Sequence, residues 1–378
     1  MASYEKRGTG WQFRISWQDE QGKRHTKSNG GFRTKKLAEN AAHDLEVKLA
    51  HGSHIDRADL PLVDYWHQWC TTYKIGKRAV ATEYFYPIIE TTLKDYFGDT
   101  PLGKITPLKW QAFLNDYGDT HARSTSSKVN GYIRAMVRTA INEQTLHTDF
   151  TFDAEISGER GVDEADKYLQ LDQFAELVNL AHETADFNHL ATVAVYVGAE
   201  SGMRVAEVLG LTWDCVDFEA NTLTINKSWD YIHHTGFKPT KNESSNRTVE
   251  VLPAVTDLLR QVKVQQAAWM LKTGQRDKHN CVFYSKYSQV LTGAACNKAL
   301  KNMETKIGIP NDDQITFHGL RHTHVSYLLS EGIDIYYISK RLGHAGIQIT
   351  MSTYSHLLDA QKSKQASKAM VALDKLAR

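Results

Sequence analysis

The sequence predicts a multidomain, mainly α-helical protein with small β elements. Three observations carry this expectation. A short segment near the start alternates large apolar with polar residues, the middle of the chain repeats apolar residues at helical spacing, and the last half mixes helical stripes with two strand-like runs. The blocks expected from this pattern are 1–55, a small sheet plus one helix; 60–155, all helical; and 168–378, mixed α+β. A chain of 378 residues has room for two or three such cores.

In the first block Trp11-Gln12-Phe13-Arg14-Ile15-Ser16-Trp17 reads as a half-exposed strand. Asp19-Glu20-Gln21-Gly22-Lys23 reads as a turn, and Arg24 to Ser28 as the returning strand. Thr34 is placed to cap a helix from Lys35 to Ala50. In the second block Leu62, Trp66 and Trp69 share one helical stripe, and Ile88, Ile89, Leu93 and Phe97 form another that ends at Gly98. Pro107 opens a third helix. Ser124 to Gln144 forms a fourth, with Val129, Ile133, Val137 and Ile141 on one face. The acidic run Asp163-Glu164-Ala165-Asp166-Lys167 reads as a linker. In the third block Leu223–Ser228 and Arg247–Leu252 read as a strand pair among helices. After residue 356, Leu357, Leu358, Ala366, Met370, Leu373 and Leu376 read as an amphipathic helix.

Composition narrows the class. The net charge is +1, but residues 1–55 carry ten Lys/Arg against six Asp/Glu, while residues 151–170 carry two against six. A basic face backed by an acidic exterior is the expected distribution, and such a face suits nucleic acid. Cys70, Cys215, Cys281 and Cys296 show no C-x-x-C spacing, so reduced buried thiols are expected rather than zinc or disulfides. No run approaches the ~20 apolar residues of a membrane span, and the first residues lack the apolar core of a signal peptide. A cytosolic location without membrane partners is expected.

Five features of the third block carry chemistry. Ser201-Gly202-Met203-Arg204-Val205-Ala206-Glu207 puts an arginine after a small-residue turn at a helix entry, a setting suited to phosphate, although an Arg-Glu pair is commonly a surface ion pair. Lys238 and Lys241 lie in a polar hairpin, where lysines are usually solvated. His318-Gly319-Leu320-Arg321 places an imidazole and a guanidinium one turn apart if helical. His318, His322 and His324 raise zinc as a competing reading, but neither an H-E-x-x-H motif nor paired cysteines accompany them, and no metal site is expected. Gly343 is expected to end a helix just before His344, and Tyr354 follows ten residues later.

The ordered set Arg204, Lys241, His318-x-x-Arg321, Gly343-His344 and Tyr354, near the C-terminus, resembles the tyrosine recombinases, the integrases of phages and integrative elements. The resemblance covers the third block closely and the helical block by position. More loosely, residues 1–55 are similar to the domain that binds arm-type DNA in larger integrases. It implies a catalytic block at 168–378, a core-DNA-binding block at 60–155, and DNA cleavage through a 3′-phosphotyrosyl link to Tyr354. Arg204 and Arg321 would clamp the phosphate. Lys241 would protonate the leaving 5′-hydroxyl, with Lys238 as the alternative. His318 would assist Tyr354 as base or phosphate donor, His344 would brace the phosphate, and Glu207 would orient Arg204. The phosphodiester energy is kept in the tyrosyl link, so no cofactor is expected.

Double-stranded DNA is the implied partner, with a homo-tetramer formed on it and accessory DNA-bending or excision factors. Arg14, Lys23, Arg24 and Lys27 on the first sheet, and Lys128, Arg134 and Arg138 beside the fourth helical stripe, are the expected phosphate contacts. The C-terminal tail is expected to dock on a neighbouring protomer rather than on its own domain. The competing functions are a type IB-like topoisomerase, which a separate N-terminal module argues against, and a non-enzymatic architectural DNA-binding protein, which the intact residue set argues against.

Overall fold

A computed structural model describes residues 2–18, 22, 24–50, 55–78, 80–161, 168–232, 234–240, 242–355, 366, 369, 370, 373 and 374. Lys23, Lys241, most of the 19–23 turn, the 163–167 acidic run and Leu357, Leu358 and Leu376 lie outside the described residues. The chain divides into two compact units, 1–161 and 162–378.

The first unit contains both of the first two expected blocks, each with its own hydrophobic cluster. Strands β1 (Ser3–Arg7), β2 (Gly10–Gln18) and β3 (Arg24–Phe32) form an antiparallel sheet in that order. β1 was not expected: its sequence SYEKR lacks the alternation that marks β2. Phe13 and Ile15 on β2 are buried against Ala42 of α1 (Lys35–Ala50). Thr34 caps α1 as expected, its Oγ1 accepting the Leu37 N–H at 3.3 Å.

The strand register separates the expected DNA contacts. Arg14 pairs with Ser28 and Gln18 with Arg24, so Arg14 and Arg24 share the face away from α1. Arg7, opposite Gly10, joins them. Lys27 is opposite Ile15 and therefore lies on the helix-side face, where its ammonium pairs with Asp59 at 2.6 Å. Its ammonium is thus paired with a carboxylate and not set beside Arg14 and Arg24.

The rest of the unit is helical: α2 (Ile55–Ala58), α3 (Leu62–Tyr73), α4 (Val80–Glu83), α5 (Phe85–Phe97), α6 (Pro107–Gly118) and α7 (Arg123–Asn142). Its core is aromatic, and the buried indole N–H groups are paired: Trp66 with the Tyr86 carbonyl, Trp69 with Thr139, and Trp110 with Asn130. Gly98 ends α5 at φ 51°. Ile88, expected on the buried stripe, is exposed, while Ile89 is buried. α7 stops two residues short of the expected Gln144, which adopts φ 56°. Lys128 and Arg138 of α7 are exposed, and the Lys128 ammonium also sits 3.1 Å from the Phe85 ring centre. Arg134, expected beside them as a phosphate contact, is part-buried. Its guanidinium turns inward to the Thr151 carbonyl at 2.8 Å, tying the returning chain to α7.

The second unit is built on α9 (Leu190–Ser201), which is apolar nearly all round and buried. α8 (Leu171–Thr184), α10 (Val205–Leu209), α11 (Pro253–Thr273), α12 (Gly293–Lys306) and α13 (Phe317–Ser330) all pack against it. Strands β4 (Val216–Asp217), β5 (Thr222–Ile225) and β8 (Arg247–Glu250) form one small antiparallel sheet. Between β5 and β8 the chain inserts the β6 (Ser228–Trp229) and β7 (Phe237–Lys238) pair. The expected strand pair is present as β5 and β8, shorter than expected. Pro253 starts α11, so Leu252 caps a helix instead of ending a strand. The chain continues through α14 (Ile335–Leu342) and α15 (Ile347–Thr353). Of the expected tail stripe, Ala366, Met370 and Leu373 are described and exposed. Among the described residues no helix is long and apolar enough to cross a membrane.

Candidate active site

Two left-handed glycines set the frame. Gly202 ends α9 at φ 67°, and Gly343 ends α14 at φ 69°. The Arg321 guanidinium, 3% exposed on α13, donates to both helix ends: to the Gly202 carbonyl at 2.7 Å and the Leu342 carbonyl at 2.8 Å. One side chain thus fixes the segment leading to Arg204 and the segment leading to His344.

Arg204 stands at the entry to α10, as the sequence implied. Its guanidinium donates to Glu207 at 2.7 Å, and the other Glu207 oxygen accepts the Arg204 backbone N–H at 3.0 Å. Glu207 is 4% exposed and also accepts from Arg247 at 3.0 Å. Burial works against its charge, but Arg247 and then Arg204 hold its carboxyl below the ordinary range. Sequence reasoning missed Arg247, the first residue of β8. Its guanidinium reaches the Arg341 carbonyl at 2.6 Å, the Ser245 carbonyl at 2.9 Å and Glu207, so it ties the start of β8 to the end of α14 and to Glu207. No motif spacing marks it.

His344 donates or accepts through Nδ1 at 2.7 Å from the Thr350 hydroxyl. Burial, and then the positive charges of Arg321, Arg204 and Arg247, pull its pKa down to about 3, so the ring is neutral at pH 7. Burial likewise lowers Arg321 to about 9, helped by Arg204 and opposed by Glu207, and it stays protonated at neutral pH. Three guanidinium groups, Arg204, Arg247 and Arg321, therefore face one carboxylate in a poorly solvated place. The surplus positive charge is what an anionic phosphate would neutralise.

Tyr354 follows α15 and is 2% exposed, packed with Val325, Leu329, Ile338 and Leu342. Burial pushes its phenol well above its usual value, an effect that the Arg321 charge partly offsets. Its hydroxyl lies 2.6 Å from Nδ1 of His322. The sequence pointed to His318 for that neighbour. His318 is on the same helix and exposed, and its ring meets His322 edge to face with centres 4.7 Å apart. His324 is committed elsewhere: its Nε2 accepts from Arg341 at 3.2 Å, so Nδ1 carries the proton and donates to the Ala199 carbonyl. Burial, with Arg341 next, lowers its pKa to about 3.

Of the two hairpin lysines, Lys238 is paired at 2.7 Å with Asp230, whose side chain is 3% exposed. On either side of Lys241, Thr240 donates to Asn246 at 2.8 Å and the hydroxyl also lies 3.0 Å from the Asn242 carbonyl. The set Arg204, Glu207, His318, Arg321, His344 and Tyr354 thus comes together in one unit from segments 150 residues apart.

The sequence model of the phage integrase family matches residues 167–361, and that of an arm DNA-binding domain matches residues 2–49. A tyrosine recombinase XerC-like protein of Caldanaerobacter subterraneus is 24% identical over 369 residues, with 91% of each chain covered. The integrase of Staphylococcus phage L54a is 23% identical, covering 68% of this chain and 77% of its own. The ICEBs1 integrase of Bacillus subtilis is 24% identical, covering 74% and 75%. The fold is similar to that of the Tn1549 transposon integrase in complex with transposon right end DNA, with a TM-score of 0.68 at 15% identity over 81% of this chain and all of that one. It is also similar to a lambda integrase dimer bound to a core site, with a TM-score of 0.56 at 15% identity over 93% of each chain.

Proposed function

The chain belongs to the phage integrase family, a site-specific recombinase that cuts and rejoins DNA, and we propose that Tyr354 is the nucleophile that carries the cut strand. In this reading the Tyr354 hydroxyl attacks the scissile phosphate, a 3′-phosphotyrosyl bond forms and the 5′-hydroxyl leaves. Attack by the 5′-hydroxyl of a partner strand reverses the step and restores a phosphodiester, so neither ATP nor hydrolysis is required. The arrangement that carries the proposal is the convergence of basic groups: Arg321 bridges the Gly202 and Leu342 carbonyls that lead to Arg204 and His344, and Glu207 joins Arg204 to Arg247.

Arg204 and Arg321 hold the non-bridging oxygens as negative charge builds on them. Glu207 keeps Arg204 in position. His344, neutral and braced by Thr350, is a hydrogen-bond donor or acceptor to the same phosphate, and His318 is an exposed imidazole beside His322. A 5′-alkoxide needs a proton, which Lys241 supplies. The ion pair between Lys238 and Asp230 argues against Lys238 in that role. Duplex DNA lies against the catalytic and helical blocks at the core site, with Lys128 and Arg138 on phosphates. The sheet of 1–55 takes arm-type DNA through Arg14, Arg24 and Arg7. Four copies assemble on the DNA, with the tail of each docking on a neighbour and accessory proteins bending the sites; Met370 and Leu373 are exposed apolar residues among the described part of that tail.

Arg204→Ala and Arg321→Ala test the clamp. Each is expected to slow covalent cleavage of a nicked site-bearing duplex by about 10²–10³ while duplex binding in a gel-shift assay persists. Cleavage at the wild-type rate in either variant overturns its assignment.

A further inference from the structure

We propose that His322, rather than His318, receives the phenolic proton when Tyr354 attacks DNA. The inference rests on the reading of Tyr354 as the nucleophile. Tyr354 is 2% exposed, which leaves little room for water to take its proton. Among the described residues, its hydroxyl is 2.6 Å from one imidazole nitrogen, Nδ1 of His322. A phenol and an imidazole at that distance form a donor–acceptor pair, with O–H donating to an unprotonated Nδ1. His322 is itself 8% exposed and follows Arg321 directly in α13, so the proton acceptor and one phosphate ligand are fixed by the same turn of helix. Among the described residues, the groups around it include His318 and Arg321 on its own helix, Tyr354 beyond α15 and His344 after α14. The exposed ring of His318, edge-on to His322, lies on the solvent side of this pair.

The step balances as follows. The Tyr354 O–H bond breaks and its proton passes to His322 Nδ1, giving an imidazolium. The oxygen's electron pair forms the new O–P bond. The P–O5′ bond breaks, its pair leaves on O5′, and O5′ takes a proton from the acid assigned to Lys241. In rejoining, the incoming 5′-hydroxyl returns a proton to that acid and His322 returns its proton to the tyrosine. His322 therefore ends each cycle in its starting state, as a general acid–base group must.

The test compares His322→Ala and His322→Asn with wild type, using a duplex carrying the recombination site and a nick that traps the covalent adduct. Tyr354→Phe serves as the control for the nucleophile. Asn keeps a polar group beside Tyr354 but does not take up a proton near neutral pH. The expected result is that both His322 variants bind the duplex normally and form adduct about 10²–10⁴ times more slowly. Restoration of the wild-type rate by Asn makes His322 a positioning group only and overturns the proposal. Adduct formation at or above the wild-type rate in His322→Ala makes the contact a restraint on Tyr354 and also overturns it. An adduct that survives in Tyr354→Phe instead removes the nucleophile reading beneath the proposal. Nitrogen NMR of histidine-labelled wild-type protein tests the same contact without a variant: an unprotonated Nδ1 on His322 is expected, and a protonated Nδ1 donating to Tyr354 contradicts the proposal.

Discussion

Glu207 holds two guanidinium groups at once, so removing its charge strands Arg247, with 6% of its side chain exposed, as well as Arg204. Breaking a buried pair by deleting one partner costs about 3–5 kcal/mol, mostly because the other charge stays buried. Glu207→Gln is therefore expected to lower the melting temperature of the protein and to slow adduct formation by at least about tenfold. Unchanged melting and cleavage would show that Arg204 and Arg247 do not depend on it. His324 gives a pH dependence with a definite sign. Its pKa is about 3 in the fold against about 6.5 when unfolded, so between these values the unfolded chain binds a proton that the native state refuses. Its contribution to stability is complete above about pH 6.5 and is lost as the pH falls towards 3, at up to about 1.4 kcal/mol per unit. Thermal unfolding from pH 7 to pH 4 should show this slope, to which His344 also adds, and His324→Gln should reduce it.

At the level of elements, the frame proposed for catalysis depends on two helix ends where glycine takes the left-handed conformation. A Cβ at Gly343 would sit 2.9 Å from the Ser245 Cα, in a backbone conformation that other residues adopt at a cost. Gly343→Ala is expected to destabilise the second unit by about 1–3 kcal/mol and to displace His344, with adduct formation falling further than binding. Equal loss of binding and cleavage would instead point to general unfolding. The sequence made these ends legible because Gly343-His344 sits where a helical stripe stops, and His318-x-x-Arg321 was legible because one helical turn separates the two. What the local sequence does not encode has physical causes. β1 is too short and polar to show alternation. The face taken by Lys27 depends on the register across the turn between Gln18 and Arg24, and one residue of slip would reverse it. Arg134 looked like its neighbours Lys128 and Arg138 because nothing local announces that the chain returns to offer the Thr151 carbonyl. Arg247 and His322 owe their places to contacts with Arg341, Glu207 and Tyr354, 32 to 94 residues away, which no local pattern encodes.

At the scale of the whole molecule, the chain carries a basic sheet, an aromatic helical block and a second unit that holds the candidate site, each with its own apolar cluster. Because the sheet's cluster is separate from that of α3–α7, deleting residues 1–55 is expected to abolish arm-type DNA binding and to leave cleavage of a core-site duplex within a fewfold of wild type. Loss of both activities would mean that the sheet also supports the core-binding block. The central claim is that DNA is cut through a covalent bond to Tyr354, and its most direct test is adduct capture. Purified protein is mixed with a nicked duplex bearing its recombination site in EDTA, resolved on a denaturing gel, and the adduct is mapped by peptide mass spectrometry. The account predicts an adduct on the peptide containing Tyr354, absent in Tyr354→Phe although that variant still binds the duplex. An adduct on another residue, or one that persists in Tyr354→Phe, would contradict it.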